Sequence, residues 1–269
     1  MPFLVELGVM TKEGTVIAQK YGKFRQINRF LEYIDDIAGA VESLNRKPFT
    51  ESEPLTIVDF GSGKSYLTFA VYYFFQELKK IPVHITGIDL KEDVIQNCTQ
   101  LAKKLGYKNL SFRAGDIGSY SDEKNPDIVI TLHACDTATD LALSYAARKN
   151  AKAILSVPCC QHEISAQLEK RKFGSTSPFA SIAQFGILRE RLAALATDAV
   201  RAELLSQHGY DVQVMEFISL ESTAKNILIR AVKKSGGIQE KTAELSRQRT
   251  ESLLRELQCS QKLKTLFSQ

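Results

Sequence analysis

The sequence offers little that would indicate a membrane or an oxidising compartment. No uncharged apolar run approaches the roughly 18 residues that a membrane-spanning helix needs. The five cysteines are odd in number, and Cys159 and Cys160 are adjacent, a pattern that does not fit a disulfide framework. The first residues lack the basic segment of a signal peptide, and Glu6 interrupts their short apolar run. We therefore expect a cytoplasmic protein without a membrane contact.

The remaining composition is ordinary for a globular protein. Of the 269 residues, 44% are hydrophobic and 25% are charged, which suits one medium-sized domain with small additions. The net charge of +4 permits an anionic partner without indicating one. Breaks at residues 45–53 and 235–237 predict a helical N-terminal extension (1–50), a main domain (51–234) and a helical C-terminal tail (235–269).

Apolar runs alternate with amphipathic stretches over most of the chain. The pattern predicts a strand that begins at Leu55 and further strands at residues 83–90, 110–117, 127–134 and 151–157. It predicts helices at residues 21–44, 64–80, 91–105 and 137–148, the last capped by Asp136 or Thr137. Residues 160–184 are irregular in pattern, and a helix at 186–208 precedes two strands at 212–219 and 226–232.

This order of elements predicts the fold class. Repeated β–α units require a parallel sheet with helices on both faces, and the short link between the last two strands requires an antiparallel pair. We predict an α/β protein with a Rossmann-like, doubly wound, mostly parallel seven-stranded sheet, an antiparallel C-terminal strand and helical additions at both ends. Ligands of such sheets bind beyond the carboxyl ends of the strands.

A glycine turn follows the first strand directly, and its spacing excludes two kinds of phosphate site. A Walker loop needs a glycine five positions before its Gly-Lys pair, and that position is Val58. A dinucleotide fingerprint needs a third glycine at position 66, which is Tyr66. What remains is Asp59-x-Gly61-x-Gly63, an acidic strand end followed by a turn that a ligand can approach closely.

Two further strand ends also carry an acidic residue. Asp89 ends the second strand, where a carboxylate can accept hydrogen bonds from both hydroxyl groups of a ribose. Asp116 follows the third strand. A single aspartate at a strand end is often only a turn former, but three at successive strand ends indicate a nucleoside ligand.

These motifs resemble motif I and the strand-end acidic residues of class I S-adenosylmethionine-dependent methyltransferases. The resemblance implies that S-adenosyl-L-methionine is the cofactor and that Asp116 lies toward its adenine amino group. The residues that it assigns to cofactor binding are Asp59, Gly61, Gly63, Tyr66, Asp89, Leu90, Asp116, Ile117 and His133.

Three short sequence runs within residues 21–232 resemble one particular branch of these methyltransferases. They are Arg-Gln-Ile-Asn-Arg-Phe at 25–30, Leu-His-Ala-Cys-Asp at 132–136 and Val-Pro-Cys-Cys-Gln-His-Glu at 157–163. They look like a methyltransferase branch with a Pro-Cys-Cys motif that is similar to a tRNA 2′-O-methyltransferase group. The resemblance implies an RNA acceptor, tRNA or rRNA. A protein or small-molecule acceptor, or a non-catalytic scaffold that keeps the cofactor, stays open.

Methyl transfer depends on positioning, and an oxygen or nitrogen acceptor can also need a base. The groups at the strand ends that we expect at the acceptor are His133, Asp136, Cys160 and His162. His133 can instead be an imidazole packed beside the cofactor. Basic residues at 170–172 and three arginines at 189, 191 and 201 can rim the acceptor site or form surface salt bridges.

The cysteines allow two other chemistries. Cys135, Cys159, Cys160 and His162 are all zinc-ligand types, but two adjacent cysteines lack the usual gap between ligands, so we predict no metal site. Cys135 with Cys159 or Cys160 also occupies places comparable to the nucleophilic cysteines of RNA cytosine-5 methyltransferases. A buried structural cysteine is the commoner case.

Overall fold

A seven-stranded sheet forms the centre of the protein. The structure is a computed structural model that describes residues 1–122, 124–132, 134–171, 173–174, 177–217 and 226–268. The strands are β1 (Leu55–Phe60), β2 (Val83–Asp89), β3 (Leu110–Ala114), β4 (Ile128–Leu132), β5 (Ala153–Val157), β6 (Tyr210–Glu216) and β7 (Ile227–Lys233). Their spatial order is β3-β2-β1-β4-β5-β7-β6, and β7 alone runs antiparallel to both of its neighbours. The predicted fold class is confirmed.

Ten α-helices in the described part of the chain surround this sheet. They are α1 (Pro2–Glu6), α2 (Tyr21–Asn45), α3 (Tyr66–Tyr73), α4 (Glu92–Leu105), α5 (Thr137–Arg148), α6 (His162–Glu169), α7 (Ala180–Ala183), α8 (Gly186–Gln207), α9 (Glu240–Leu257) and α10 (Lys262–Phe267). None of the described helices is long and apolar enough to cross a membrane.

The strands bury apolar side chains on both faces of the sheet. On β1, Leu55 and Ile57 join a core with α2, α3 and α4, whereas Val58 and Phe60 join a second core with α5, α6, α8 and α9. The period-2 alternation of the strand produces this division. The predicted N-terminal helix α2 packs on α3 and β7, and the helices of the predicted C-terminal tail, α9 and α10, pack on α8 and α5. The boundaries that we predict at residues 50 and 235 stay a prediction.

Several element ends differ from the sequence prediction. The helix predicted at 64–80 begins at Tyr66, and its last part, Phe74–Lys79, is a π-helix. The strand predicted at 110–117 ends at Ala114, because Asp116 caps a 3₁₀ turn by accepting a hydrogen bond from the Gly118 N–H at 2.7 Å. The strand predicted at 127–134 ends at Leu132. His133, and Ser219 of the sixth predicted strand, lie outside the described residues.

The interpretation of residues 160–184 as irregular is wrong in part, because α6 and α7 lie there. No local residue caps α6 with its side chain: Gln161 holds the N-cap position without a capping hydrogen bond. Asp136 supplies the cap from the preceding loop, where its Oδ1 accepts from the His162 N–H (2.9 Å) and the Glu163 N–H (3.1 Å). A cap supplied from 26 residues upstream leaves no local sequence signal.

Candidate active site

The glycine turn after β1 forms a cleft at the carboxyl edge of the sheet. Gly61 and Gly63 have φ of +71° and +52°, conformations that favour glycine, and Ser65 has a φ of +57° at the N-cap of α3. The cleft has a volume of about 280 Å³, near the lower end of ordinary small-molecule sites. Its lining includes the predicted residues Asp59, Gly61, Gly63 and Tyr66, and also Lys23, Ser62, Lys64, Ser65, Leu67 and Leu132.

Asp59 lies at the floor of this cleft. Its side chain is buried, and its Oδ2 accepts a hydrogen bond from the Thr68 hydroxyl of α3 at 2.6 Å. The other oxygen, Oδ1, is buried without a hydrogen-bond partner among the described residues. Burial raises the pKa of Asp59 to about 7. An unpartnered carboxylate oxygen at a ligand cleft is a ready acceptor for a cationic or N–H group of a ligand.

Asp89 connects the ends of β1 and β2. Its Oδ2 accepts from the Gly63 N–H at 2.9 Å, and its Oδ1 accepts from the Lys91 N–H at 3.1 Å. Each carboxylate oxygen can accept a further hydrogen bond, so the side chain is oriented at the turn without being saturated. This is the arrangement that binding of a ribose by Asp89 requires.

The remaining predicted cofactor residues lie farther along the same sheet edge. Leu90 is 73% exposed, and Asp116 is exposed in the 3₁₀ turn that also contains Ile117. The Gly115 N–H donates to the Asp89 carbonyl at 3.0 Å, which holds the two strand ends together. None of these three residues lines the cleft itself, so they can contact only a ligand that extends beyond it toward β3.

The N-terminal helix α2 supplies a residue of the cleft that the motif analysis did not assign to the site. Lys23 lines the cleft, its Nζ donates to the Gln26 Oε1 at 2.8 Å, and the same Nζ lies 5.0 Å from the centre of the Tyr66 ring. Burial lowers the pKa of Lys23. In the sequence Lys23 is one of several cations near the start of α2, and nothing local shows that α2 packs against α3 and so brings Lys23 to the cleft.

The loops after β4 and β5 meet at the same edge of the sheet. Asp136 has a φ of +51°, a conformation that is unfavourable for a residue with a Cβ, and its carboxylate caps α6. His162 is exposed at the first position of α6. The structure thus brings Asp136, Cys160 and His162 together, as the sequence predicts.

Three cysteine side chains converge in these loops. Cys135 is exposed, and Cys159 and Cys160 are half-buried. The Sγ–Sγ distances are 3.6 Å for Cys135 and Cys159, 3.7 Å for Cys159 and Cys160, and 3.9 Å for Cys160 and Cys135. Burial, together with the two neighbouring thiols, raises the pKa of Cys159 to about 12. No described cysteine forms a disulfide.

The prediction that Arg201 lies on the surface or rims the acceptor is wrong. Its side chain is fully buried, and it donates to Asp140 through Nε (2.8 Å) and Nη2 (3.0 Å) and to Asp198 through Nη1 (3.0 Å). Its Nη2 also donates to the Asp136 carbonyl at 2.9 Å. Burial opposes the charge of Arg201, but the two carboxylates outweigh it and raise the pKa of the guanidinium. Arg201 therefore supports the acceptor-side loop from within.

Comparison with known proteins assigns the family. The profile of a family described as a methyltransferase domain matches residues 22–167, more than half of the chain. The chain belongs to this methyltransferase family. With the glycine turn and the acidic strand ends in place, it is an S-adenosylmethionine-dependent methyltransferase, and S-adenosyl-L-methionine is its cofactor. The unpartnered Asp59 Oδ1 and the unsaturated Asp89 carboxylate fit that cofactor.

Several solved methyltransferase structures share the fold at low sequence identity. Magnesium protoporphyrin IX methyltransferase from Synechocystis PCC 6803, solved with bound SAH, is 13% identical over 82% of this chain and 89% of its own (TM-score 0.47). Precorrin-6y C5,15-methyltransferase from Geobacter metallireducens GS-15 is 14% identical over 74% of this chain and 88% of its own (TM-score 0.42).

The methyltransferase domain of a citrinin polyketide synthase is 22% identical over 70% of this chain (TM-score 0.44). Because the match covers 48% of that chain, the present protein spans about half its length. No curated protein matches the sequence.

Proposed function

We propose that this methyltransferase modifies RNA, with the cofactor held at the glycine turn and the acceptor entering past the loops after β4 and β5. The observation that carries the cofactor site is the Asp89 carboxylate fixed to the Gly63 N–H at 2.9 Å. The observation that carries the RNA acceptor is a set of exposed cations beside the cleft. A cytoplasmic location is part of the same proposal.

The bound cofactor supplies an electrophilic methyl group on a sulfonium sulfur. In this proposal Asp89 accepts hydrogen bonds from the ribose hydroxyls. Asp59 and Lys23, which can carry opposite charges, both face the amino-acid part of the cofactor. Gly61 and Gly63 let the backbone approach it closely. Leu90, Asp116 and Ile117 contact the adenine, which extends along the sheet edge toward β3.

On the acceptor side the loops position the nucleophile, and positioning supplies a large part of the rate of such a transfer. A hydroxyl or ring nitrogen must also lose a proton, and His162 is the described imidazole at this edge. Asp136 holds the first turn of α6, which carries His162, in place. His133 and Cys160 complete the set of acceptor-side residues that we propose.

Cations without a carboxylate partner favour a polyanionic acceptor. Lys20 directly precedes α2 and Arg25 lies near the start of that helix, both with exposed side chains, and Lys64 is exposed at the rim of the cleft. None of the three forms an ion pair with any described residue. The three short sequence runs that resemble the tRNA 2′-O-methyltransferase group support the same acceptor class. A phosphate backbone would meet such cations, and its binding would weaken with salt.

Calorimetric titration tests the cofactor site. We expect S-adenosylmethionine and S-adenosylhomocysteine to bind the wild type, and Asp89→Ala to weaken both by a factor of about ten or more, the order expected for a lost charged hydrogen bond. Glu92→Gln is the matched control, because it removes an exposed negative charge from the first turn of α4. Equal affinity of Asp89→Ala and Glu92→Gln would contradict the assignment.

Transfer of a labelled methyl group to separate pools of tRNA, rRNA, protein and small metabolites tests the acceptor. We expect label in RNA, and we expect Arg25→Glu to reduce it while S-adenosylmethionine affinity stays unchanged. Lys241→Glu on α9 is the control for charge alone. Label in protein or metabolites but not in RNA would overturn the RNA proposal, and full activity in both Cys160→Ser and His162→Ala would overturn the acceptor-side assignment.

A further inference from the structure

We propose that Cys135, Cys159 and Cys160 form a binding site for a thiophilic divalent metal ion, for which Zn²⁺ is the natural occupant. The site shares Cys160 with the proposed acceptor side, but its test does not depend on methyl transfer. It rests on a convergence of three thiols that the fold creates from two separate loops.

The dimensions of the thiol triangle fit a metal ion. Tetrahedral Zn²⁺ binds thiolate sulfur at about 2.3 Å, which places two bound sulfur atoms about 3.8 Å apart. The three Sγ–Sγ distances in this protein are 3.6, 3.7 and 3.9 Å, so each edge lies within about 0.2 Å of that spacing. All three edges fit at once, which a chance contact between two thiols would not give.

The scaffold holds the triangle in place. β4 and β5 are parallel neighbours, so the loops after Leu132 and Val157 leave the sheet side by side. The Asp136 carboxylate then joins the two loops through the backbone N–H groups of His162 and Glu163. A metal site needs its ligands held by such outer contacts, because these keep the sulfur atoms converged.

In the sequence, Cys159 and Cys160 are adjacent and lack the usual gap between two zinc ligands, and His162 is the next ligand type along the chain. In the structure the third ligand comes from a different loop. Cys135 supplies the third thiol from the other loop, and among the described residues no histidine or carboxylate joins the three within 4.8 Å of one another. Three protein ligands leave one position of a tetrahedral ion for a non-protein ligand, as in sites where zinc contacts solvent or substrate.

Cobalt substitution tests the site without measuring methyl transfer. The full-length protein is reduced, freed of metal with a chelator and titrated with Co²⁺. We expect one equivalent per chain, a thiolate-to-cobalt charge-transfer band, the visible bands of tetrahedral cobalt and displacement by Zn²⁺. Because the ligands bind as thiolates, uptake should release protons and weaken as the pH falls.

Variants identify the ligands. Cys135→Ser and Cys160→Ser should each weaken Co²⁺ binding by on the order of 100-fold or more and remove the charge-transfer band. Cys259→Ser is the matched control, since its thiol lies outside the triangle on the loop after α9. Circular dichroism and S-adenosylmethionine titration establish that each variant is folded.

The outcomes separate this proposal from the methyltransferase assignment. A wild type that binds S-adenosylmethionine but gives no thiolate-to-cobalt band overturns the metal site alone. The same holds if Cys259→Ser loses the band as fully as Cys160→Ser, or if the reduced thiols form a disulfide and exclude the metal. Loss of cofactor binding with the cobalt band intact would instead contradict the proposed cofactor site.

Discussion

Replacement of the buried Arg201 should destabilise the protein strongly, and Arg201→Met is the informative change. Methionine keeps the length of the aliphatic stem and removes the guanidinium. Two buried carboxylates, Asp140 and Asp198, then lose their cation, and the Asp136 carbonyl loses a donor. Gln261 and Gln161 still donate to the two carboxylates at 2.7 and 3.1 Å, but an amide dipole does not neutralise a charge.

Removing one member of a buried ion pair typically costs 3–5 kcal/mol, because the partner is left as an uncompensated charge. We expect a loss of about 4 kcal/mol in the free energy of unfolding for Arg201→Met. With a urea m-value of about 3 kcal/mol/M for a chain of this size, the midpoint should fall by roughly 1.3 M. The melting temperature should fall by roughly 10 °C.

Urea unfolding followed by circular dichroism measures the effect, and pH gives a second test. Burial already raises the pKa of Asp198 in the folded wild type, and without the Arg201 guanidinium beside it that pKa should rise further. A carboxyl group with a raised folded pKa contributes stability below its unfolded pKa of about 4 and loses that contribution as the pH rises through the folded pKa. The deficit of Arg201→Met should therefore be larger at about pH 8 than at about pH 5.

A matched control uses an exposed pair of the same kind. Arg247 pairs with Glu244 three residues earlier on α9, and both side chains are largely exposed. Arg247→Met should cost less than about 1 kcal/mol, as surface pairs generally do. Equal losses in Arg201→Met and Arg247→Met, or a deficit in Arg201→Met that does not change with pH, would refute the reasoning about buried charge.

Three further changes test other parts of the structure. Asp59→Asn should flatten the pH dependence of stability. The wild type should lose up to about 4 kcal/mol of unfolding free energy as the pH rises from about 4 through about 7, the raised pKa of Asp59. Parallel profiles of urea midpoint against pH for both proteins would contradict this. Gly87→Ala should cost about 1–3 kcal/mol of unfolding free energy, since a Cβ there would lie 2.6 Å from the Phe112 ring. Its control, Gly39→Ala in the open middle of α2, should stabilise the protein by about 1 kcal/mol. A Gly87→Ala variant with an unchanged urea midpoint would show that the ring moves aside freely. Gln261→Ala should cost about 1–3 kcal/mol of unfolding free energy, because it removes one hydrogen-bond donor from the buried carboxylate of Asp140 on α5. An unchanged melting temperature would show that the C-terminal segment does not stabilise this carboxylate.

The fold and the glycine turn could be predicted from the sequence because both leave local signals. Strand β1 is a short apolar run bounded by Pro54 and a Gly-x-Gly turn, and α4 ends at Gly106, which has a φ of +71°. The C-terminal tail is also helical, as its sequence predicts, and its helices α9 and α10 pack on α8 and α5.

The acceptor side could not be predicted in the same way because its contacts join distant parts of the chain. Arg201 and Asp140 are 61 positions apart, and nothing local distinguishes a buried arginine on α8 from its exposed neighbours. Cys135 lies 24 positions before Cys159, so a search for ligand spacing within one short segment does not find the triangle. Helix α6 was not predicted for the same reason, since its N-terminal cap comes from Asp136 in a distant loop.

The two sides of the active-site edge therefore depend on different parts of the chain. The cofactor side is built by β1, its turn and Asp89, and its hydrogen bonds link these to Thr68 on α3, to Lys91 after β2 and to Cys98 on α4. The acceptor side depends on the C-terminal segment, because the Lys262 N–H donates to Glu163 (2.9 Å) and the Ser260 N–H donates to Gln167 (2.9 Å), both on α6. These contacts hold α6, the helix that Asp136 caps from its unfavourable φ of +51°. The C-terminal segment therefore supports the geometry of the acceptor side, whereas none of its described residues lines the cofactor cleft.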